Sequence, residues 1–94
     1  MTKALWNMQI IAESDDTILL EGNYYFPRDS VADRYLEKSE HRTWCNWKGE
    51  ASYFDLVVAE EVNPAAAWYY SDPYPAAAQI RGRVAFWKGV EIVD

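Results

Sequence analysis

The sequence predicts a mainly β domain of the α+β kind, with about six or seven mostly antiparallel strands and one short helix near residues 30–38. Three observations carry this. Val, Ile, Tyr, Trp and Phe gather in short runs, and these residue types fit a pleated, half-buried surface. The runs are separated by brief turn signals such as Ser14-Asp15-Asp16-Thr17, Gly22-Asn23 and Lys88-Gly89, and connections so short join antiparallel neighbours. Only one stretch keeps apolar residues at helical spacing. The chain has 94 residues, which fits a single domain over 1–94. A chain of that size buries about 60–65% of its unfolded surface, so its core is thin. Five Trp, seven Tyr and three Phe compensate, since each enclosed ring buries about 150–250 Å².

Taken in order, residues 5–14 read as the first strand, centred on Ile10-Ile11-Ala12. The turn at Ser14–Thr17 hands over to a second strand at Ile18-Leu19-Leu20, antiparallel to the first. Gly22 and Asn23 tolerate positive φ and predict a bulge or a second tight turn. Tyr24-Tyr25-Phe26 then resumes an extended course that Pro27 ends. Over 30–38, Asp29 or Ser30 serves as N-cap and Asp33 lies near the positive end of the helix dipole. Val31 with Tyr35, and Ala32 with Leu36, give an apolar face. About nine residues cannot hold a helix alone, so it must lie on a sheet.

Ala51–Ala59 reads as a long strand and Glu60–Pro64 as a loop. Ala65–Tyr70 is a strand, because Ser71-Asp72-Pro73-Tyr74-Pro75 stops it a few residues after its aromatic run. Pro75 at the first helical position starts a single turn through Gln79, which Gly82 ends. Arg83–Trp87 and Val90–Val93 make a final hairpin across Lys88-Gly89.

The net charge is -6 and the nine Lys and Arg are scattered. Phosphate binding needs clustered cations, so the chain is expected to bind neither nucleic acid nor an anionic membrane. No apolar run reaches the roughly 20 residues that cross a bilayer. The first residues hold no long apolar segment, and one Cys cannot form an internal disulfide. The expected location is the cytoplasm.

The chemically rare side chains gather in one stretch, His41–Gly49. It holds the only His, the only Cys, two of the five Trp, and Lys48 beside Gly49. If 41–47 is extended, His41, Thr43, Cys45 and Trp47 share one face, and Arg42, Trp44, Asn46 and Lys48 the other. A His can lower the pKa of a nearby Cys and make it a nucleophile. Free Cys more often packs as a small hydrophobe, and that is the favoured reading of Cys45. His41, just after the predicted helix, caps its last carbonyls or lies exposed. A tetrahedral zinc site would need His41, Cys45 and two carboxylates, a rare set, so no metal and no cofactor are expected. Lys48-Gly49 and Glu21-Gly22-Asn23 each pair a charge with a Gly that lets the backbone approach closely. They read either as a base and an acid lining a pocket or as turn chemistry with solvated charges. Trp47, Trp68, Tyr69, Tyr70 and Trp87 offer rings for a planar or cationic ligand.

A family resemblance adds to this. The pattern runs from Trp6 through Ile11-Ala12-Glu13-Ser14 and Glu21-Gly22-Asn23-Tyr24-Tyr25-Phe26-Pro27. It continues with His41-x-Thr43-x-Cys45-x-Trp47-Lys48-Gly49-x-Ala51-x-Tyr53 and Ala67-Trp68-Tyr69-Tyr70. Pro73-x-Pro75-Ala76-Ala77 and Ile80-x-Gly82-x-Val84-Ala85-Phe86 complete it. In this order the motifs resemble the family catalogued as domain of unknown function 427, over nearly the whole chain. The resemblance implies a β-tent fold, the class that includes the methionine sulfoxide reductase B enzymes and the thalidomide-binding domain of cereblon. It implies no established reaction. Asn46 departs from the Pro common in the family. Several β-tent proteins hold structural zinc between two Cys-x-x-Cys pairs; with a single Cys, hydrophobic contacts must do that work here. The nucleotidyltransferase label sometimes given to the family finds no support in a Gly-Ser with paired Asp or in a Gly-rich phosphate loop.

These readings converge on an aromatic-walled pocket for a small molecule, with Glu21, Asn23, Tyr25, His41, Trp47, Lys48, Tyr70 and Arg81 as its binding residues. Whether it catalyses anything is left open. The alternatives are an interaction module that forms a homodimer or docks another protein through exposed aromatics, and a thiol enzyme built on Cys45. Trp47-Lys48-Gly49 is the expected anchor of the sheet, and Lys48 the residue expected to meet a ligand.

Overall fold

A computed structural model describes residues 1–94. It contains nine strands in three antiparallel sheets and three short 3-10 segments. β1 (Thr2–Trp6) and β2 (Gln9–Ser14) pair antiparallel, so the single strand expected over 5–14 is in fact a hairpin. Its turn is Asn7-Met8, both at positive φ. β3 (Ile18–Leu20) and β4 (Asn23–Tyr25) form a second hairpin around Glu21-Gly22, again with both φ positive. That is the tight turn expected at Gly22, but β3 pairs with β4 instead of returning to β2. Two central residues at positive φ match the right-handed twist of the flanking strands.

The main sheet has the order β5-β6-β7-β8, from β5 (Leu36–Cys45), β6 (Gly49–Val58), β7 (Glu61–Tyr69) and β8 (Val84–Phe86). The helix expected over 30–38 is absent. Arg28–Ser30 and Asp33–Tyr35 make one 3-10 turn each, and from Leu36 the chain is β5. Between the turns, Val31 forms a bridge with Ala12, and the Ala32 N–H donates to the Ile11 carbonyl at 2.9 Å. Val31 is buried there. Sheet pairing and burial thus outweigh the local preference of a segment too short to hold a helix by itself.

The loop expected over 60–64 is also absent. The turn is only Ala59-Glu60, both at positive φ, and β7 starts at Glu61. Pro64 falls where the β6–β7 ladder shifts register, a place where its missing N–H costs no ladder bond. The 3-10 segment Pro75–Ile80 contains the turn expected from Pro75. β8 and β9 (Glu91–Val93) do not pair with each other: β8 joins β7 and β9 joins β1. Lys88-Gly89 therefore carries the chain from one sheet to another.

Strand alternation splits the core across the main sheet. Phe54, Leu56 and Val58 of β6 point to one face, where they pack with Ala4, Ile11, Phe26 and Val84. Ala51 and Tyr53 point to the other, against Tyr25, Tyr70, Ala77 and Ile80. The first core is largely aliphatic and the second is rich in phenols. On the outer strand β5, side chains from Glu37 to Trp44 are almost all exposed. Its pairing with β6 is irregular between Lys38 and Arg42. No helix is long and apolar enough to cross a membrane.

Candidate functional site

The second face of the main sheet encloses a cavity of about 240 Å³. Trp68 on β7 and Tyr70 just beyond it share a face because they are two residues apart, and Tyr69 points to the other core, stacked on Phe54 at 4.8 Å. Tyr53 of β6 supplies a neighbouring wall. Asn23 and Tyr25 come from β4, Trp87 from just after β8, and Lys48 from the turn joining β5 to β6. Rings meet edge to face around the opening: Tyr25 and Trp68 at 6.2 Å, Trp68 and Trp87 at 6.1 Å. This is the arrangement that aromatic quadrupoles favour.

Three hydrogen bonds hold these walls. The Trp68 indole N–H donates to the Tyr25 hydroxyl at 3.2 Å, and the Trp87 indole N–H donates to the Ala65 carbonyl at 2.6 Å. The Tyr53 hydroxyl is 2.8 Å from the Thr43 hydroxyl across the β5–β6 pair. Every buried side-chain nitrogen or oxygen has a partner. The lysine turn is fixed from outside, since the Tyr74 N–H donates to the Lys48 carbonyl at 3.0 Å. Gly49 makes the turn feasible. Its φ is +106°, and a Cβ there would also lie 3.7 Å from the Asp72 carbonyl oxygen.

Lys48 is 8% exposed. Its Nζ hydrogen-bonds a Glu21 carboxylate oxygen and lies 5.3 Å from the Trp47 ring centre and 5.6 Å from that of Tyr70. Burial works against its charge, but the Glu21 hydrogen bond and the nearby Tyr70 and Tyr25 hydroxyls outweigh it, so its pKa is raised. The amine is therefore an ammonium at neutral pH and not a nucleophile. The same hydrogen bond lowers the Glu21 pKa. Burial raises the pKa of Tyr25 and pushes that of Tyr70 to about 12. Both phenols stay protonated and able to donate. The site thus offers one fixed cation, two neutral donors and electron-rich ring faces.

The residues expected from sequence divide clearly. Asn23, Tyr25, Lys48 and Tyr70 line the cavity. Glu21 and Trp47 reach it through Lys48. His41 lies exposed on β5 with its ring 4.6 Å from Tyr53, and with no helix before it there is none to cap. Trp47 lies in the turn after β5, 37% exposed, so it does not continue the face of Cys45. Arg81 is elsewhere, paired with Asp72 at 3.1 Å on a separate polar cleft of about 720 Å³. That cleft also holds Arg28 and Arg83, each with its own carboxylate, Asp33 and Asp16, and no aromatic ring lines it. Cys45 is partly buried and packs against the phenol-rich core. No three His, Cys, Asp or Glu side chains gather as metal ligands. Tyr53 joins the cavity beyond the expected residues, and Trp68 and Trp87, two of the rings expected for a planar or cationic ligand, complete it. Alternation pairs Tyr53 with Ala51, and Trp68 with Tyr70, which is the signal that places the first two.

Fold and site together define a small antiparallel β domain that keeps a charged lysine inside an aromatic-walled cavity. The family model described as Domain of unknown function (DUF427) matches residues 2–94. The chain belongs to this family. No curated protein matches it.

Proposed function

We propose that the protein binds a small planar molecule, neutral or anionic, between the Trp68 and Tyr70 walls with its polar edge toward Lys48. The observation that carries this reading is the position of the Lys48 ammonium. It already lies over the Trp47 and Tyr70 rings, where a bound cation would sit. A cationic ligand would meet a like charge, whereas a carboxylate or carbonyl would gain a charge-assisted hydrogen bond. A 150 Å³ cavity holds benzene. On that scale, about 240 Å³ takes on the order of ten non-hydrogen atoms, one substituted ring. Apolar walls with a few converging polar groups are the usual character of such sites.

A thermal-shift series tests this, using aromatic carboxylates, their neutral amides and the matching trimethylammonium compounds. Ligand at one hundred times its Kd stabilises by about 2.7 kcal/mol, which for a domain this size raises Tm by roughly 10–20 °C. The acids are expected to shift Tm and quench Trp fluorescence, and the trimethylammonium compounds to do neither. A flat response to every planar acid and amide would refute the proposal, as would an equal response to the cations.

A further inference from the structure

A second cavity, of about 270 Å³, lies at the other side of the same turn. We propose that it binds a methylated ammonium group, the charge class the first cavity rejects. Its walls are two rings and two carboxylates. Trp44 is 63% exposed and meets Tyr74 edge to face, with centres 5.8 Å apart and planes at 79°. Two rings at nearly a right angle form a corner that presents ring faces to one point, the geometry that holds a quaternary ammonium. Glu50 stands directly across the β5–β6 pair from Trp44, so its carboxylate shares the Trp44 face. Glu50 takes part in none of the ion pairs of the molecule. Asp72 adds a second carboxylate, shared with Arg81 at 3.1 Å.

The corner is built before any ligand arrives. Tyr74 is tied by its N–H to the Lys48 carbonyl, and the 72–74 backbone runs close over Gly49, where a Cβ would already be in contact. Tyr74 is thus anchored at its backbone and Trp44 packs against its ring, which lowers the cost of ordering the corner on binding. The Arg42 guanidinium, two residues from Trp44, donates to the Ser39 and His41 carbonyls. The only cation paired into the cavity wall is Arg81, and Asp72 balances it. Glu50 leaves the local charge negative. A chain that fills one aromatic site with its own lysine leaves this one with uncommitted negative charge.

The test is titration of the full chain with choline and with its neutral carbon isostere, dimethylbutanol, followed by NMR at the Trp44 indole N–H. The Trp44→Ala spectrum assigns that signal. Choline is expected to move it saturably and to bind roughly 3- to 10-fold more tightly than the isostere. Glu50→Gln should weaken choline by about 2- to 5-fold, and Trp44→Ala should abolish binding while leaving Tm unchanged, since the ring is exposed. Equal affinity for the isostere would overturn the proposal. So would unchanged choline binding in Glu50→Gln, or a shift at the Trp68 and Trp87 indoles in place of Trp44. The isostere comparison needs no variant, so a folding defect in Trp44→Ala does not blunt it.

Discussion

Replacing Lys48 separates what its charge does from what its carbon stem does. In Lys48→Met the ammonium and its bond to Glu21 are lost, but an unbranched chain still lies between the Trp47 and Tyr70 rings. The Glu21 side chain is 47% exposed, so water takes the place of the ammonium and no buried charge is stranded. A swap that conserves volume this well costs less than about 1.5 kcal/mol. Lys48→Ala instead removes three methylenes from a residue 8% exposed. At about 0.8 kcal/mol per buried methylene, that costs about 2–3 kcal/mol. Urea unfolding at neutral pH, read by far-UV circular dichroism, should rank wild type, then Met, then Ala. Sensitivity to acid separates the two effects further. A carboxyl whose folded pKa is depressed, as for Glu21, adds stability above its ordinary value of 4.5 and loses it as pH falls through the folded value. The gap between wild type and Lys48→Met should therefore close below that pH, while the gap to Lys48→Ala persists. If Met proves as damaging as Ala, the Glu21 bond holds the turn and stem packing does not. If Lys48→Met keeps the preference for planar acids, the proposed role of the ammonium is wrong.

Two further outcomes follow from the same site. Gly49→Ala forces an L side chain to φ +106°, a strain of roughly 1–3 kcal/mol; an unchanged urea midpoint would mean that the turn relaxes at no cost. Because Tyr70 is raised from 10.0 to about 12, the unfolded chain gives up its proton first as pH rises. Stability should therefore fall between those values, and Tyr70→Phe should flatten that fall. An identical alkaline profile in Tyr70→Phe would contradict this placement of the phenol.

What could be read in the sequence, and what could not, follows from the physics of each element. A tight turn was legible at Gly22 because Gly adopts positive φ freely, although its other central residue is Glu21 and the expected Asn23 already belongs to β4. Ala59-Glu60 adopts the same backbone sign with residues that give no such signal. The loop expected at 60–64 and the missed break at Asn7-Met8 both come from this. The helix at 30–38 failed because its apolar spacing was genuine but short, and pairing of Val31 with Ala12 is a contact between distant residues that no local pattern reports. In the site, Asn23, Tyr25, Lys48 and Tyr70 were found by seeking polar groups beside Gly and aromatics. Arg81 met the same criterion and lies elsewhere, because the criterion holds no information on where the 3-10 segment Pro75–Ile80 turns the chain. Lys48 was placed on the face away from Cys45 by alternation, but alternation ends with β5 at Cys45. The turn that follows redirects the side chain into the cavity.

The outer strand β5 has a consequence for behaviour at high concentration. A ten-residue strand on the rim of a sheet is a template on which another chain can add, the first step toward fibrous aggregates. Here the rim is interrupted where it would be flattest. Between Lys38 and Arg42 the ladder slips, and the Arg42 guanidinium takes the Ser39 and His41 carbonyls at 2.9 and 2.8 Å. The His41 N–H is likewise taken by the Ser39 hydroxyl at 3.1 Å. Part of the adhesive backbone is thus satisfied by its own side chains, so this small aromatic-rich domain carries a local guard against polymerising along its longest open edge.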